Sequence, residues 1–259
     1  EMPQWGSRRN RLSKKASKET TSVVVQEGAR DIINEAFRVV RTNLEFIIGK
    51  GDKSSVIVFT SFNPGSGKSF LTMNIATCLA IKGKRVLVID GDLRHGSTSA
   101  YVGSPRHGLS DYLSGNINNV DQIIVADKSH DTMHVLPVGP IPPNPTELLE
   151  EPRFGELISR LRSRYDYILI DCPPIEVVAD TQIIEKAADR TIFVVRADLL
   201  ERSMLPVLEN IYKEKRFKNM MMILNGTNSR NIRYGYGSRH GYHYGYGYYA
   251  YGSSKQTKN

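Results

Sequence analysis

The residues with the clearest chemical role lie in a small-residue loop between two apolar stretches. A β-branched run, 56–60, is typical of a buried strand, and a helical pattern begins at Lys68. Glycines between them let main-chain N–H groups face a polyphosphate, and a helix N-terminus adds partial positive charge. Lys68 is predicted to reach the outer phosphates, and the Ser69 hydroxyl to bind Mg²⁺. The predicted nucleotide-binding residues of this loop are Asn63, Pro64, Gly65, Ser66, Gly67, Lys68, Ser69 and Phe70.

The loop departs from the usual phosphate-binding pattern at one position. That pattern has a glycine five residues before its Gly-Lys pair, and this chain has Phe62 there. The alternative explanation is a glycine turn that happens to precede a helix. The order of strand, loop and helix favours the phosphate-binding interpretation.

Carboxylates follow two further apolar strands. Asp90 and Asp92 come directly after one of them, and Asp171 ends the other. In an open parallel sheet, ligands bind at the carboxyl ends of the strands, so all three are predicted to lie beside the loop. Because Mg²⁺ prefers carboxylates and water, the predicted metal site is Ser69, Asp92 and Asp171. For any one aspartate alone, a helix cap or a turn is an equally good explanation.

Four more polar residues stand near the predicted ends of elements. Arg94 could contact phosphate or pair with a carboxylate, and the sequence leaves both roles open. Asp180 begins a predicted helix, where an N-cap is the expected role. Arg196 ends one strand near the rim of the predicted pocket, where a structural role is also open, and Asn225 ends the last strand.

Strands and helices alternate along the chain, which predicts an α/β fold: a mostly parallel sheet covered by helices on both faces, in a single domain. An amphipathic helix is predicted over 29–49, with an apolar stripe of Ile33, Phe37, Val40, Leu44 and Ile47. Glu35, Arg38 and Arg41 are predicted to lie on the flank away from this stripe. Strands are predicted near 55–60, 85–90, 133–136, 166–171, 191–196 and 219–225. Further helices are predicted near 67–82, 109–114, 153–164, 180–187 and 202–215, and a proline-rich extended connection over 137–145.

Composition divides the 259 residues into a central domain, 29–227, and two basic ends. Residues 1–20 carry net +4 and residues 228–259 net +5, out of +8 for the whole chain, so the centre is close to neutral. The segment 1–28 is predicted to be a linker. It could bind an anionic membrane surface, it could bind nucleic acid, or it could simply be a solvated linker. Cys78 and Cys172 are predicted to be reduced, and no apolar run reaches membrane-spanning length.

The tail 228–259 has the least usual composition. Because the tail is rich in glycine and tyrosine, it has few aliphatic side chains that could form a hydrophobic core, and this composition predicts disorder. It could be merely adhesive, it could stack on nucleic-acid bases, or it could be a tethered phosphorylation substrate. The eight tyrosines concerned are Tyr234, Tyr236, Tyr242, Tyr244, Tyr246, Tyr248, Tyr249 and Tyr251.

Together these motifs resemble those of the bacterial tyrosine kinases, which act in capsule and exopolysaccharide export. The loop 61–69 is similar to the family's Walker A motif, 88–94 to its Walker A′ and 168–174 to its Walker B. The tail is similar to the family's tyrosine cluster. Glu35, Arg38 and Arg41 are similar to the motif by which these kinases form a ring, although spacing alone favours an ordinary Glu35–Arg38 pair within one helix. The resemblance covers roughly residues 29–251.

The resemblance implies an ATP-dependent protein-tyrosine kinase that uses Mg²⁺, releases ADP and phosphorylates its own tail within a ring. Lys68, Asp90, Asp92 and Arg94 are then the expected catalytic residues, with Asp90 accepting or orienting the phenol proton. Related ATPases imply that Asn225 binds adenine.

The expected partners are further copies of the chain in a ring, an octamer in the family, together with a membrane segment or activator and a cognate phosphotyrosine phosphatase. No nucleic acid is expected. The expected location is the inner face of the bacterial plasma membrane, as part of a longer membrane protein, since the chain begins at Glu1 and 1–28 resembles a juxtamembrane linker. The alternatives are a partition or positioning switch ATPase, which has an extra lysine where this chain has Asn63, and a nucleic-acid-binding module.

Overall fold

A computed structural model describes residues 22–49, 54–175 and 179–227. The first part of the predicted linker, 1–21, and the tyrosine-rich tail, 228–259, lie outside the described residues. Among the residues that are described, no helix is both long and apolar enough to cross a lipid bilayer.

Seven strands of the described chain form one sheet, in the order β3-β4-β2-β5-β1-β6-β7. Every pair is parallel except β3 with β4. This confirms the predicted mostly parallel α/β architecture, and the two-residue β3 was not predicted. The strands are β1 Ser55–Thr60, β2 Val86–Asp90, β3 Val125–Ala126, β4 Met133–Leu136, β5 Tyr167–Asp171, β6 Arg190–Arg196 and β7 Met220–Asn225.

The helices agree with the prediction to within about three residues, with one omission. Pro145–Glu150 is a helix, where the sequence predicted only the end of an extended connection; proline suits the first position of a helix because its missing N–H is not needed there. The helices are α1 Ile32–Ile48, α2 Lys68–Ala80, α3 Leu109–Leu113, α4 Pro145–Glu150, α5 Pro152–Leu161, α6 Asp180–Glu185 and α7 Leu205–Lys213.

Both faces of the sheet are buried. Alternate residues of β1 point to opposite sides, so that Val56 and Val58 belong to one apolar cluster, and Ile57 and Phe59 to another. Helices α3 to α6 cover the first face, and α1 and α2 the second. Helix α2 is buried all round between α1 and the sheet, which holds the phosphate-binding loop rigidly at its N-terminus.

The buried face of α1 differs from the predicted stripe. Phe37 and Leu44 are buried as predicted, but Ile33 is 53% exposed and Asn34 is buried instead. Asn34 satisfies main-chain groups, accepting from Gln26 N at 2.8 Å and donating to Val24 O at 3.3 Å. The face is therefore rotated by about one residue, because a buried amide with partners can replace an aliphatic side chain.

The folded domain begins earlier than residue 29. Val25 is buried against α2, and the N–H groups of Val24 and Val25 donate to Asn74 Oδ1 at 2.8 and 3.0 Å. We call residues 22–27 the strap. Residues 22–27 therefore belong to the folded domain and not to the predicted linker 1–28, of which residues 1–21 lie outside the described residues.

Phe62, the residue that interrupts the usual loop pattern, is a core residue. It is buried and packs edge-to-face on Phe193, with ring centroids 4.9 Å apart. Leu208 and Ile211 of α7 complete this cluster. A large side chain at this position thus fixes the start of the loop to β6 and α7.

Replacing Phe62 with Ala should therefore destabilise the nucleotide-free protein by about 3–5 kcal/mol, since a buried aromatic ring is lost and a cavity remains. Urea unfolding measures this free energy. Phe46→Ala is the matched control, because Phe46 is 87% exposed and its removal should change stability by less than about 0.5 kcal/mol. Equal effects of the two changes would contradict the anchoring role.

Candidate nucleotide-binding site

A pocket of about 770 Å³ opens at the carboxyl end of the sheet, beside the loop before α2. Nine of the predicted site residues line it: Pro64, Gly65, Gly67, Lys68, Ser69, Phe70, Asp92, Arg94 and Asn225. The other lining residues are His95, Ser97, Tyr101, Pro173, Pro174, Arg196 and Gly226. The structure thus brings residues from five separate chain segments to one cavity.

The loop has the backbone that its glycines predict. Gly65 and Gly67 have φ values of 75° and 91°, in the region that favours glycine. A Cβ atom at Gly67 would stand 2.3 Å from Asn225 Nδ2, so this position has no room for a side chain. Asn63 and Ser66 do not line the pocket; Ser66 Oγ donates to Asn63 O at 2.8 Å and closes the loop on itself.

Asp171 is buried directly behind the loop. Its Oδ2 accepts hydrogen bonds from the hydroxyls of Ser69 and Thr98, and its Oδ1 has no hydrogen-bond partner. Burial raises the pKa of Asp171, while the charge of Lys68 and the two hydroxyls act in the opposite direction. A buried carboxylate oxygen without a partner, in contact with the predicted metal-binding serine, suits a site that receives a cation.

Asp90 lies opposite Asp171 on the neighbouring strand. Its Oδ2 accepts from Ser99 N at 2.6 Å and from Ser99 Oγ at 2.7 Å, whereas its Oδ1 is buried without a partner. Burial raises the pKa of Asp90 to about 7, and the nearby Asp171 carboxylate adds to the rise. A carboxyl group of this kind can exchange a proton near neutral pH. Its predicted catalytic role stays a prediction.

Asp92 forms the turn after β2. Its Oδ1 accepts from the N–H groups of Arg94 and His95, both at 3.2 Å, and His95 Nδ1 lies 3.2 Å from the same carboxylate. The side chain is mostly buried yet still lines the pocket. This position allows the predicted part of Asp92 in the metal site, which stays a prediction.

Arg94 pairs with a carboxylate, one of its two predicted alternatives. Its Nε donates to Asp180 Oδ2 at 3.2 Å and its Nη2 to Thr146 Oγ1 at 3.0 Å, and Thr146 donates on to Asp180 Oδ1 at 2.7 Å. The N-cap prediction for Asp180 is wrong, since Ala179 is the N-cap of α6. Asp180 is fully buried and needs a cationic partner, which Arg94 supplies from the pocket wall.

The ends of β6 and β7 contact the outer side of the loop. Arg196 Nη1 donates to Gly65 O at 2.6 Å, and Asn225 Nδ2 donates to Ser66 O at 3.0 Å. Asn225 lines the pocket, as its predicted adenine contact requires. Its amide nitrogen, however, already donates a hydrogen bond to the loop. The adenine contact stays a prediction.

Sequence reasoning missed the hydroxyl groups that hold the carboxylates. Thr98, Ser99 and Thr146 were not singled out, although the run 97–99 of Ser, Thr and Ser directly follows the Asp92 turn. Small hydroxyl residues close after a strand-end carboxylate were an available signal for Thr98 and Ser99. Thr146 had no such signal, because its partners lie 52 and 34 residues away.

The predicted oligomerisation residues are arranged differently from one another. Glu35 and Arg38 form a hydrogen-bonded ion pair within α1, and Arg38 also donates to Ala29 O. Arg41 was predicted to lie on the flank away from the core, and this was wrong. Its side chain is only 12% exposed and its Nη1 contacts Cys78 O at 3.4 Å, because the buried face of α1 is rotated toward it.

The donor set around the pocket fits a magnesium nucleotide. The loop supplies open glycine backbone and Lys68, nothing lies within 4 Å of a Cβ built on Gly65, and Ser69 stands next to the buried Asp171. These groups match a polyphosphate with a hard cation. Residues 64–70 would hold the phosphates, and Ser69, Asp92 and Asp171 would hold the ion.

Known proteins share this domain. A family model described as an AAA domain matches residues 54–221. The putative tyrosine-protein kinase EpsB of Ralstonia solanacearum is 38% identical over 228 residues, which are 86% of this chain but only 29% of that protein. The tyrosine-protein kinase CpsD of Streptococcus agalactiae is 34% identical over 212 residues, covering 79% of this chain and 90% of that protein.

A solved structure agrees with these relatives. The kinase domain of the Escherichia coli tyrosine kinase ETK superposes with a TM-score of 0.69 at 29% identity, over 82% of this chain and 80% of that one. The chain thus spans nearly all of CpsD but less than a third of EpsB.

The burial of Asp90 gives a test of the site without any ligand. A carboxyl whose pKa is raised on folding binds its proton more tightly in the folded state, so stability falls as pH rises toward about 7. Asp90→Asn removes this penalty. At about 1.4 kcal/mol per pH unit, its stability relative to wild type should rise by up to about 3 kcal/mol between about pH 5 and pH 8.

Urea unfolding without nucleotide or Mg²⁺ at the two pH values measures the difference. Asp131→Asn is the control, because Asp131 is exposed and its replacement should change stability by less than about 0.5 kcal/mol at either pH. If Asp90→Asn behaves like the control, the buried acid does not titrate as described.

Proposed function

This chain belongs to the AAA-domain family and, within it, to the bacterial tyrosine kinases, and on that premise we propose that it transfers phosphate from ATP to tyrosine. The observation that carries the proposal is the single pocket that joins the phosphate loop, Asp92 and, behind Ser69, the buried Asp171. The reaction joins the γ-phosphoryl group to a phenol oxygen and releases ADP and a proton.

Catalysis by this chain is mainly positioning and charge neutralisation. The N–H groups of the loop and the α2 N-terminus bind the phosphates, and Lys68 neutralises charge on the outer ones. Ser69, Asp92 and Asp171 hold the cation. Bound Mg-ATP supplies the phosphoryl group with part of its charge already neutralised. Arg94 stands in the wall, where its pairing with Asp180 holds the guanidinium in a set position.

Asp90 is the proposed acceptor of the phenol proton. A free phenol has a pKa near 10, so loss of its proton at neutral pH needs a base. The pKa of about 7 at Asp90 suits that task, since a base works best near the operating pH. Its Oδ1 has no hydrogen-bond partner, and Ser99 holds the other oxygen. Asp90 is fully buried and does not line the pocket, so the proton would have to reach it through the pocket wall.

The proposed acceptors are the tail tyrosines, Tyr234 to Tyr251. The tail begins at residue 228, two positions after Gly226, which lines the pocket. We propose that one copy presents its tail to the site of the next, within a ring formed through Glu35, Arg38 and Arg41. The number of copies expected from the family is eight. A cognate phosphatase would remove the phosphate.

The relatives support a proposal for the biological setting. EpsB is several times longer than this chain, whereas CpsD is of similar length. We propose that this chain is the cytoplasmic kinase part at the inner face of the plasma membrane, working with its own membrane segment or a separate activator. Its output would be control of capsule or exopolysaccharide synthesis and export.

Incubation with Mg-ATP should place phosphate on the tail tyrosines, mapped by mass spectrometry, and Lys68→Met should abolish it. Transfer between copies is tested by mixing two variants: an active chain with the eight tail tyrosines changed to Phe, and a Lys68→Met chain with its natural tail. Phosphate should then appear on the inactive chain. ATP hydrolysis without phosphotyrosine would instead indicate a switch ATPase.

The ring is tested by light scattering of the unphosphorylated chain. Glu35→Gln should reduce the assembly to smaller species, while the fold loses less than about 1 kcal/mol because the Glu35–Arg38 pair is partly exposed. Glu209→Gln is the matched control, since Glu209 forms a similar pair with Lys213 on the surface of α7. If both variants and the wild type have equal masses, the proposal that α1 forms the ring interface is contradicted.

A further inference from the structure

Two strand-end side chains fix the outer side of the phosphate loop. Arg196 and Asn225 lie opposite each other in the parallel pairing of β6 and β7. Arg196 Nη1 donates to Gly65 O at 2.6 Å, and Asn225 Nδ2 donates to Ser66 O at 3.0 Å. We call Arg196 and Asn225 the loop clamp. Consecutive loop carbonyls are therefore bound by consecutive strand ends.

The orientation of Asn225 is itself set by a second contact. Its Oδ1 accepts from Gly226 N at 2.8 Å, which turns the amide nitrogen toward Ser66 O. The contact is close, because a Cβ at Gly67 would meet that nitrogen at 2.3 Å. The amide therefore packs directly against the loop backbone.

Holding these carbonyls determines where the N–H groups of the loop point. In a planar trans peptide the C=O and the following N–H point in opposite directions. A Gly65 carbonyl held on the outside therefore turns Ser66 N–H away from the clamp, and a Ser66 carbonyl held there does the same for Gly67 N–H. Because Gly65 and Gly67 adopt positive φ values, both peptide units have other orientations within reach.

We propose that Arg196 and Asn225 are positioning residues, which pre-orient the two peptide units for a nucleoside di- or triphosphate and so set its affinity. This rests on the proposed nucleotide site, and it assigns a new role to two residues at its edge. The clamp acts on the loop before the ligand arrives. It therefore lowers the ordering cost of binding in the ground state and the transition state alike.

The affinity test uses Mg-ADP and calorimetry on the full chain. Arg196→Ala should weaken binding about tenfold or more, the range expected when a charged hydrogen-bond donor is lost, and Asn225→Ala should weaken it by a similar or smaller factor. The KM for ATP should rise in proportion while kcat at saturation stays unchanged. Arg202→Ala is the control, because Arg202 is an exposed arginine shortly after the same strand. This variant should bind Mg-ADP with the affinity of the wild type.

The double variant separates a shared clamp from independent ligand contacts. If both residues hold one loop conformation, the double variant should lose clearly less affinity for Mg-ADP than the product of the two fold-losses measured in the single variants. Backbone ¹⁵N order parameters of residues 65–67 in the ligand-free chain, measured by NMR relaxation, should be lower in each single variant. The melting temperature should stay near that of the wild type for Arg196→Ala, because this side chain is exposed.

Three results would overturn the proposal: wild-type affinity in both single variants, losses of affinity that multiply fully in the double variant, or unchanged order parameters at residues 65–67. A wild-type chain that fails to bind Mg-ADP would instead overturn the proposed nucleotide site. Failure of the clamp and failure of the function are thus distinguished.

Discussion

The site depends on the register of three parallel strands. Strands β2 and β5 end at the same level, which places Asp90 opposite Asp171, and β1 lies beside β5, so that the phosphate loop leaves the sheet at the same edge. Two carboxyl groups are thereby removed from water within one small region. Burial of this kind disfavours the charged form, and the hydroxyls of Ser69, Thr98 and Ser99 offset only part of the cost. The pocket is thus a place where a cation would relieve an unfavourable arrangement.

The fold and most of the pocket could be predicted because their signals are local. A buried strand that ends in a carboxylate, and a glycine loop that leads into a helix, are readable from a few neighbouring residues. The partners of these residues were not readable. Arg94 and Asp180 are 86 residues apart in the chain, and nothing near either one indicates the other. The face of α1 was misplaced for the same reason, since contacts with other elements bury Asn34 and cover most of Arg41.

The loop also shows how a departure from a motif can be compensated. Phe62 replaces the usual glycine, yet the positive φ values occur at Gly65 and Gly67, where glycine is kept and adopts them without strain. The Phe62 ring instead packs against Phe193 and so joins the loop to the core. The same side of the sheet, through β6, β7 and α7, thus supplies both the apolar anchor and the polar contacts of the loop.

The stability of the strap is coupled to that of the helix that carries the nucleotide site. Two N–H groups of the strap end on Asn74, which lies in the second turn of the helix that begins at Lys68. Peeling the strap away would leave the buried Asn74 oxygen without either donor, so the strap and α2 form one cooperative unit. Any ligand that stabilises α2 in its present position therefore also raises the work needed to detach the strap. Tension applied upstream of residue 22 is shared between the phosphate-binding helix and α1, since Asn34 of α1 also forms hydrogen bonds with Val24 O and Gln26 N.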